Sequence, residues 1–377
     1  MCNFALRNNQ QGSFPNYRQN IENISNTMSN INEQLTKFAK DRESELLTDP
    51  DWIDRWTNYA QNIRKNACSY SEKRKKFNVT QSLTLYSKVS EASKAGCYDI
   101  RFKGQSVASI NVNKKGKVVL SPKSTNKDYF DFPKGFSKVD WASKEAKSFR
   151  AFFAKLAENQ NVKTKSPEHK VENALLREFS KKHGKDKQLR HIQPVCITKD
   201  AFFQMPTIFS ASNPNDIKVA KPGKGGGIDI LARVQHNHDN HDNHDNHNNG
   251  TRLCVFEVKD ENCTKEPQEQ VLRQAITYAV FIANLLREEK NDLGKQWYQI
   301  FGFQTERQTK DVVIPKELHI DVSTLMPAGN TGEYPTEEII ELDNNVKLHT
   351  FALYYDEAQF ENEGTFSFSG SLKDSLM

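Results

Sequence analysis

With 377 residues, 36% of them hydrophobic and 27% charged, the chain carries enough apolar material for two or three ordinary domains, which excludes a single small module and a disordered polypeptide. No stretch of about 18 consecutive apolar residues occurs, so a membrane partner is not expected. The formal net charge of +5 conceals an asymmetry: positions 61–190 hold 30 Lys and Arg against 12 Asp and Glu, a local excess of +18 that leaves −13 for the rest. A basic block of that size is the footprint of a polyanion partner, because each neutralised phosphate releases condensed counterions. A solvated lysine-rich surface is the plainer alternative.

In chain order, the start Met1-Cys2-Asn3-Phe4-Ala5-Leu6-Arg7 lacks the apolar core and cleavage site of a secretory signal, so a cytoplasmic protein is expected. The six cysteines, Cys2, Cys68, Cys97, Cys196, Cys254 and Cys263, form no CxxC pair, which argues against zinc or a disulfide framework and leaves free buried thiols. Ile21, Ile24, Met28, Ile31 and Leu35 give a weak helical pattern. Trp52, Ile53, Trp56, Ala60 and Ile63 give a firmer one within 48–75, followed by the cationic run Lys73-Arg74-Lys75-Lys76. Short extended segments at 98–102, 107–112 and 117–120, with a turn at Lys114-Lys115-Gly116, predict a small antiparallel sheet. A helix over 141–157 closes this part. The polar stretch 159–165 is the best boundary, dividing a basic α+β domain (1–160) from a second domain (161–377).

The second domain alternates helix and strand. Ser166-Pro167-Glu168 is a helix start with proline at the first helical position, continued by Val171, Leu175, Leu176 and Phe179. Strands are expected at 191–198, 228–234, 252–259 and 296–304, with an amphipathic helix at 267–289 between the last two and an extended run from Val346 to Tyr355. The fold class is therefore α/β. Residues 235–250 form a His/Asn/Asp-rich loop that holds five of the ten histidines, from His236 to His247. Imidazoles at that spacing bind transition metals, but a flexible loop enlarged by a duplicated unit, with no metal function, is the simpler account.

The chemistry concentrates in 252–261. Strand alternation puts Cys254, Phe256 and Val258 on one face and Glu257 and Lys259 on the other, so a carboxylate and an ammonium address one point. Glu-x-Lys alone is a weak signal. Upstream, Gly225-Gly226-Gly227 opens onto a strand whose one acidic residue is Asp229, and glycine there permits close approach of backbone or phosphate. Asp229 and Glu257 on neighbouring antiparallel strands offer the hard oxygen ligands that suit Mg²⁺.

The sequence Gly-Ile-Asp-Ile-Leu-Ala-Arg, then Val-Phe-Glu-Val-Lys, then a helix with Gln274 and Tyr278, resembles the PD-(D/E)XK, or restriction-endonuclease-like, superfamily over roughly residues 166–304. That resemblance implies a mixed sheet flanked by helices, with Asp229 and Glu257 as metal ligands, Lys259 as the catalytic lysine, and Gln274 and Tyr278 as a QxxxY pair on one helical face. An acidic residue often sits on the family's first helix. Glu172, a carboxylate inside the stripe of Leu175, Leu176 and Phe179, is the choice over Glu168, whose first-turn position the helix dipole already explains. The family's literal proline is replaced by Ile228. The resemblance further implies Mg²⁺, with Mn²⁺ as substitute, hydrolysing phosphodiester bonds as a DNA endonuclease of restriction, anti-phage defence or repair. The expected partner is nucleic acid, double-stranded DNA first, with a homodimer left open and the basic 1–160 part as a clamp. A catalytically silent nucleic-acid-binding or assembly module on the same scaffold is the alternative function.

Overall fold

The computed structural model describes residues 16–88, 95–123, 137–159, 162–164, 166–182, 188–198, 200–210, 218–219, 225–236, 250–260, 266–303, 312–330 and 337–376. Two long helices come first, α1 (Asn16–Thr48) and α2 (Asp51–Arg74), then strands β1 (Leu83–Ser87), β2 (Cys97–Phe102), β3 (Gln105–Val112), β4 (Val118–Pro122) and β5 (Val139–Asp140). Helices α3 (Lys144–Ala157) and α4 (Pro167–Phe179) lead to β6 (Ile192–Pro194), β7 (Phe202–Phe203), β8 (Phe209–Ser210), β9 (Lys218–Val219), β10 (Ile230–Gln235) and β11 (Thr251–Val258). The chain continues through α5 (Gln268–Arg287), α6 (Leu293–Ile300), β12 (Leu318–Pro327), β13 (Ile339–Leu342), β14 (Val346–Tyr355), α7 (Glu357–Glu363), β15 (Phe368–Ser369) and α8 (Ser371–Leu376).

Among the described residues two sheets dominate, which makes the protein α/β with mixed sheets flanked by helices. The first runs β5-β4-β3-β2-β1-β7, antiparallel except for the parallel β1/β7 pair. Tyr98, Ile100, Phe102, Val107, Ile110 and Leu120 form its apolar face and bury it against Phe149 and Phe153 of α3. The second runs β13-β14-β12-β11-β10-β6, with β15 beside β14. Its centre, β11-β12-β14, is parallel, and β10, β6, β13 and β15 are antiparallel to their neighbours. Helix α5 covers one face through Ala275, Ile276 and Ala279, and α4, α7 and α8 cover the other through Leu175, Phe360 and Leu372.

The packing crosses the expected boundary at 160. Trp56 of α2 meets Phe281 of α5 edge to face at 5.0 Å and accepts from Trp297 Nε1 through its carbonyl at 3.2 Å. Leu35, Ala39 and Leu46 of α1 join that same core. The Trp52/Trp56 stripe thus finds its apolar partner on α5 and not on the first sheet. From the other direction, β7 lends Phe202 and Phe203 to β1.

Other expectations shift too. The segment 296–304, expected as a strand, is largely α6: Leu293, Trp297 and Phe301 recur at four-residue spacing and are buried together, while the aromatics Tyr298 and Phe303 stack face to face at 4.5 Å. Gly294 makes that helix fit, since a β-carbon there would stand 2.1 Å from the Leu286 carbonyl oxygen of α5. The strand expected at 191–198 shortens to Ile192–Pro194, and β12 occupies sequence to which no element was assigned. Cys68, Cys97, Cys196 and Cys254 are free, as expected, but only Cys254 is buried. Of the histidine loop, His236 is described: its Nε2 lies 2.7 Å from Asp321 of β12 and its ring stacks on Phe351. His238, His241, His244 and His247 lie outside the described residues.

Candidate active site

The β10/β11 hairpin sets the first two carboxylates. Ile230 pairs with Phe256, so continuing the antiparallel register by one residue brings Asp229, just before β10, across from Glu257. Asp229 Oδ2 accepts from the Val258 backbone at 3.0 Å, which fixes the side chain at the end of β11. Cys254, Phe256 and Val258 enter the core beneath α4, and Leu253 and Val255 face α5, so Glu257 and Lys259 project on the α5 side as the alternation requires. Beyond the last strand residue, Lys259 still donates its backbone N–H to Leu325 of β12 at 2.9 Å, while its carbonyl accepts from the Tyr355 hydroxyl at 3.1 Å. The ammonium therefore starts from an anchored backbone. The glycine approach is tight as well: a β-carbon on Gly225 would fall 1.8 Å from the Thr207 carbonyl oxygen, and one on Gly226 would stand 3.1 Å from the Tyr278 hydroxyl.

Helix α4 brings the acidic residues. Ser166 caps it by accepting from the His169 N–H at 3.3 Å, with Pro167 in the first turn as the sequence indicates. Glu172 is 1% exposed, and neither carboxylate oxygen has a hydrogen-bond partner. Glu168 is not a bystander held by the helix dipole: its Oε2 lies 3.5 Å from Lys259 Nζ. Lys259 Nζ also sits 2.9 Å from Glu257 Oε1 and 3.6 Å from Glu266 Oε2, so a single buried ammonium serves three carboxylates.

Such crowding raises carboxyl pKa values. Burial is the main cause for Glu257, pushed up to about 7, where Lys259 pulls down and Glu168 and Glu266 push further up. Glu172 reaches about 8, again chiefly through burial, with Arg101 opposing and Glu168 and Glu257 adding. Asp229 is also raised well above its ordinary value, by burial first and then by Glu257 and Glu172. Burial works against the Lys259 charge, yet Glu257, Glu168 and Asp229 outweigh it, so its pKa moves up and the ammonium stays protonated.

Of the QxxxY pair, Tyr278 is buried beside Gly226, and burial first, then Glu257 and Asp229, raises its hydroxyl pKa. Gln274 is buried one turn earlier on α5. The structure thus brings Asp229, Glu257, Lys259, Glu172 and Tyr278 within electrostatic reach of one another, with Gln274 one turn from Tyr278 on α5. Sequence reasoning missed Arg101. From β2 of the first sheet, its guanidinium lies 4.0 Å from Glu172 Oε1, donates to Asp99 at 3.2 Å and Gln204 at 3.0 Å, and stacks 3.9 Å from the Tyr86 ring. Glu266 was missed as well, and so was Thr324, which pairs with Glu257 across β11/β12 and whose buried hydroxyl has no hydrogen-bond partner. No local pattern distinguishes these three.

Among the described residues no group of three or more His, Cys, Asp or Glu is placed so that it could hold a metal ion. A pair of carboxylates with retained waters is the donor set that fits a hard divalent cation here. Both oxygens of Glu172 and Oε2 of Glu257 are buried without partners, and Mg²⁺ needs only one or two carboxylates because it keeps most of its waters. No described helix is long and apolar enough to cross a membrane. Comparison of the chain with protein-family models, with curated proteins and with solved structures finds no match in any of the three.

Proposed function

We propose that the chain is a Mg²⁺-dependent nuclease of the restriction-endonuclease-like kind, hydrolysing phosphodiester bonds in double-stranded DNA. The observation that carries this reading is the buried Glu257–Lys259 pair at 2.9 Å, with Asp229 across the hairpin and Glu172 presenting two unpartnered oxygens. Most buried polar atoms are hydrogen-bonded, so three unpartnered carboxylate oxygens at one place are what an ion-binding site would present. The mixed sheet with its antiparallel β10/β11 hairpin and flanking α4 and α5 agrees in general plan with that family.

Two carboxylates at a time, Glu257 with Asp229 or with Glu172, would hold Mg²⁺ and its retained waters, with Mn²⁺ as substitute. When bound, the ion supplies polarisation of the phosphoryl oxygen and a lowered pKa for its water. Lys259 acts as a donor and not as a base, because its carboxylate neighbours keep it protonated: it orients the attacking water and offsets charge that develops on the phosphoryl oxygens. Arg101 holds Glu172 and adds a second cation within reach of the same region. Gly225 and Gly226 keep the approach clear of β-carbons. The cations of residues 61–190 would position the duplex through phosphate contacts, which carry no sequence information.

The test is cleavage of linear and circular DNA and of RNA with Mg²⁺, Mn²⁺ or EDTA, by wild type and by Glu257→Ala. Metal-dependent cutting by wild type and none by the variant is expected. Cutting at the wild-type rate by pure Glu257→Ala eliminates the assignment. Salt-sensitive DNA binding by a wild type that cuts nothing would point to the silent module instead.

A further inference from the structure

The two α4 carboxylates at the candidate site lie on one face of the helix. At 3.6 residues per turn Glu168 and Glu172 share that face, whereas Lys170, Ala174 and Arg177 lie on the opposite one. That second face borders a cavity of about 380 Å³. Its walls include Phe102 and Lys103 at the β2–β3 turn, Ala174 and Arg177 on α4, and Phe360 and Phe366 at the carboxyl-terminal side. Close docking of the turn on α4 shapes it: Gly104, at φ +80°, has the His169 carbonyl oxygen where a β-carbon would be, 1.9 Å away.

The lining is cationic, with Lys103, Lys170, Arg177 and Lys181 against Glu178 and Glu361, a formal net of +2. Both carboxylates are engaged locally, Glu361 by Lys170 at 2.8 Å and Glu178 by Lys181 at 2.5 Å. Arg177 is oriented by a neutral group, donating from Nε and Nη2 to the Thr84 hydroxyl at 3.1 and 2.7 Å. Lys103 donates to the Asn159 carbonyl at 3.3 Å. Burial lowers the Lys103 pKa first and repulsion from Lys170 next, with Glu361 offsetting less, so positive charge is in excess here. The apolar wall is a stack of rings, Phe360 on Phe366 with centroids 4.8 Å apart at 14° and Phe366 on Phe368 at 5.5 Å, so it offers ring edges to the cavity. Lys170 sits 5.3 Å over the Phe360 ring.

A concave site of this size, small for a ligand pocket and far too small for a duplex, joins fixed cations to an aromatic surface. We propose that this cavity binds one nucleotide, with its phosphate at Lys103 and Arg177 and its base against the phenylalanine wall. The preference for an anion comes from the lining; the choice of a nucleotide among phosphorylated ligands rests on the nuclease reading. Packing of a base against apolar ring edges engages none of its hydrogen-bonding groups, so no sequence preference is expected from this pocket. The helix, about 10 Å across, separates the bound nucleotide from Lys259, so its binding is independent of the catalytic carboxylates. A free 5′-nucleotide and an unpaired nucleotide at the end of a bound strand present the same chemistry.

The experiment is titration calorimetry of the full chain in EDTA with thymidine 5′-monophosphate, thymidine, inorganic phosphate, and a DNA hairpin with one unpaired 5′-phosphorylated thymidine. Wild type and Glu257→Gln should bind the monophosphate equally, and Lys103→Gln and Arg177→Gln should each bind it about tenfold more weakly. Thymidine should not bind detectably, and inorganic phosphate should bind more weakly than the nucleotide. Tighter binding of the hairpin than of the monophosphate assigns the pocket to a strand end, and equal binding assigns it to the free nucleotide. Undiminished binding by Lys103→Gln, loss of binding in Glu257→Gln, phosphate binding as tightly as nucleotide, or no binding of either thymidylate by wild type overturns the proposal. Arg177 also anchors Thr84, so a melting curve accompanies each variant, and Lys103→Gln decides the matter if Arg177→Gln does not fold. Cleavage plays no part in these readouts, so this inference and the nuclease reading fail separately.

Discussion

Replacing Glu172 by glutamine should make the metal-free protein more stable, and increasingly so as pH rises. The side chain is 1% exposed, its oxygens lack hydrogen-bond partners, and its carboxyl pKa is lifted from 4.5 to about 8, mainly by burial. Between those two values the folded state binds more protons at this position than the unfolded state, so stability falls with pH across that window and levels off above it. At about 1.36 kcal/mol for each pH unit crossed, the carboxylate destabilises the fold by about 1 kcal/mol at pH 5 and by up to about 4 kcal/mol at pH 8. Glutamine has nearly the same shape and remains neutral throughout, and Asp99 still pairs Arg101 after the change. Urea denaturation of wild type and Glu172→Gln in EDTA at pH 5, 7 and 8 measures the difference directly. A gain in midpoint that grows with pH is expected, as is its reduction by saturating Mg²⁺, which stabilises the ionised wild type. A glutamine variant less stable than wild type at pH 8, or a gain that does not vary with pH, refutes the electrostatic argument. If the same variant cuts DNA poorly, it separates stability from function in the direction expected where a strained group is kept for a task.

Lys259→Ala should lower kcat for cleavage by at least about 100-fold while DNA affinity in Ca²⁺ changes little, because the ammonium acts on developing charge; single-turnover kinetics with filter binding separates the two. Arg101→Leu takes this guanidinium from both Asp99 and Glu172 and should destabilise the protein by about 3 kcal/mol; Glu172, whose pKa then rises further, stays protonated, so the loss should differ by no more than about 0.5 kcal/mol between pH 6 and pH 8, which chemical denaturation at both pH values checks. Trp56→Ala should lose about 3–5 kcal/mol, and the loss should reach the site's own core, since Trp56 packs on Phe281 of α5; hydrogen exchange read at α5 and β11 would show whether protection falls there or is confined to the first two helices.

What could be read from the sequence was what local periodicity encodes. The alternation at 252–259 gave β11 its two faces, and the long apolar stripe gave α5 nearly end to end. Glu172 betrayed itself as a carboxylate where the helical pattern calls for an apolar residue, and its complete burial agrees with that anomaly. Periodicity failed where neighbours decide. Aromatics at 297, 298, 301 and 303 carry strand propensity, yet their four-residue spacing and Gly294 settle α6 against α5. Strand β12 is buried on both faces and interrupts its apolar run with Asp321, Ser323 and Thr324, polar residues that make sense only once His236, 85 positions earlier, meets Asp321.

The charge balance of the site has the same long-range character. Asp229, Glu257, Glu172, Glu168 and Glu266 bring five carboxylates to Lys259 and Arg101, and these seven residues come from five stretches of the chain. Within that set, Arg101 and Glu172 are 71 positions apart and belong to the two different sheets and their covering helices, so the first sheet is part of the electrostatics of the second. Burial raises the carboxyl pKa values first, and with anions outnumbering cations each additional ionised carboxylate raises those of the rest further. A divalent cation would offset most of that imbalance, and it would do so most strongly at the pH where all the carboxylates have ionised. On the proposed reading, then, the feature that weakens the metal-free fold is the one that binds the ion, and the two should rise and fall together as Glu172, Glu257 and Asp229 are neutralised one at a time.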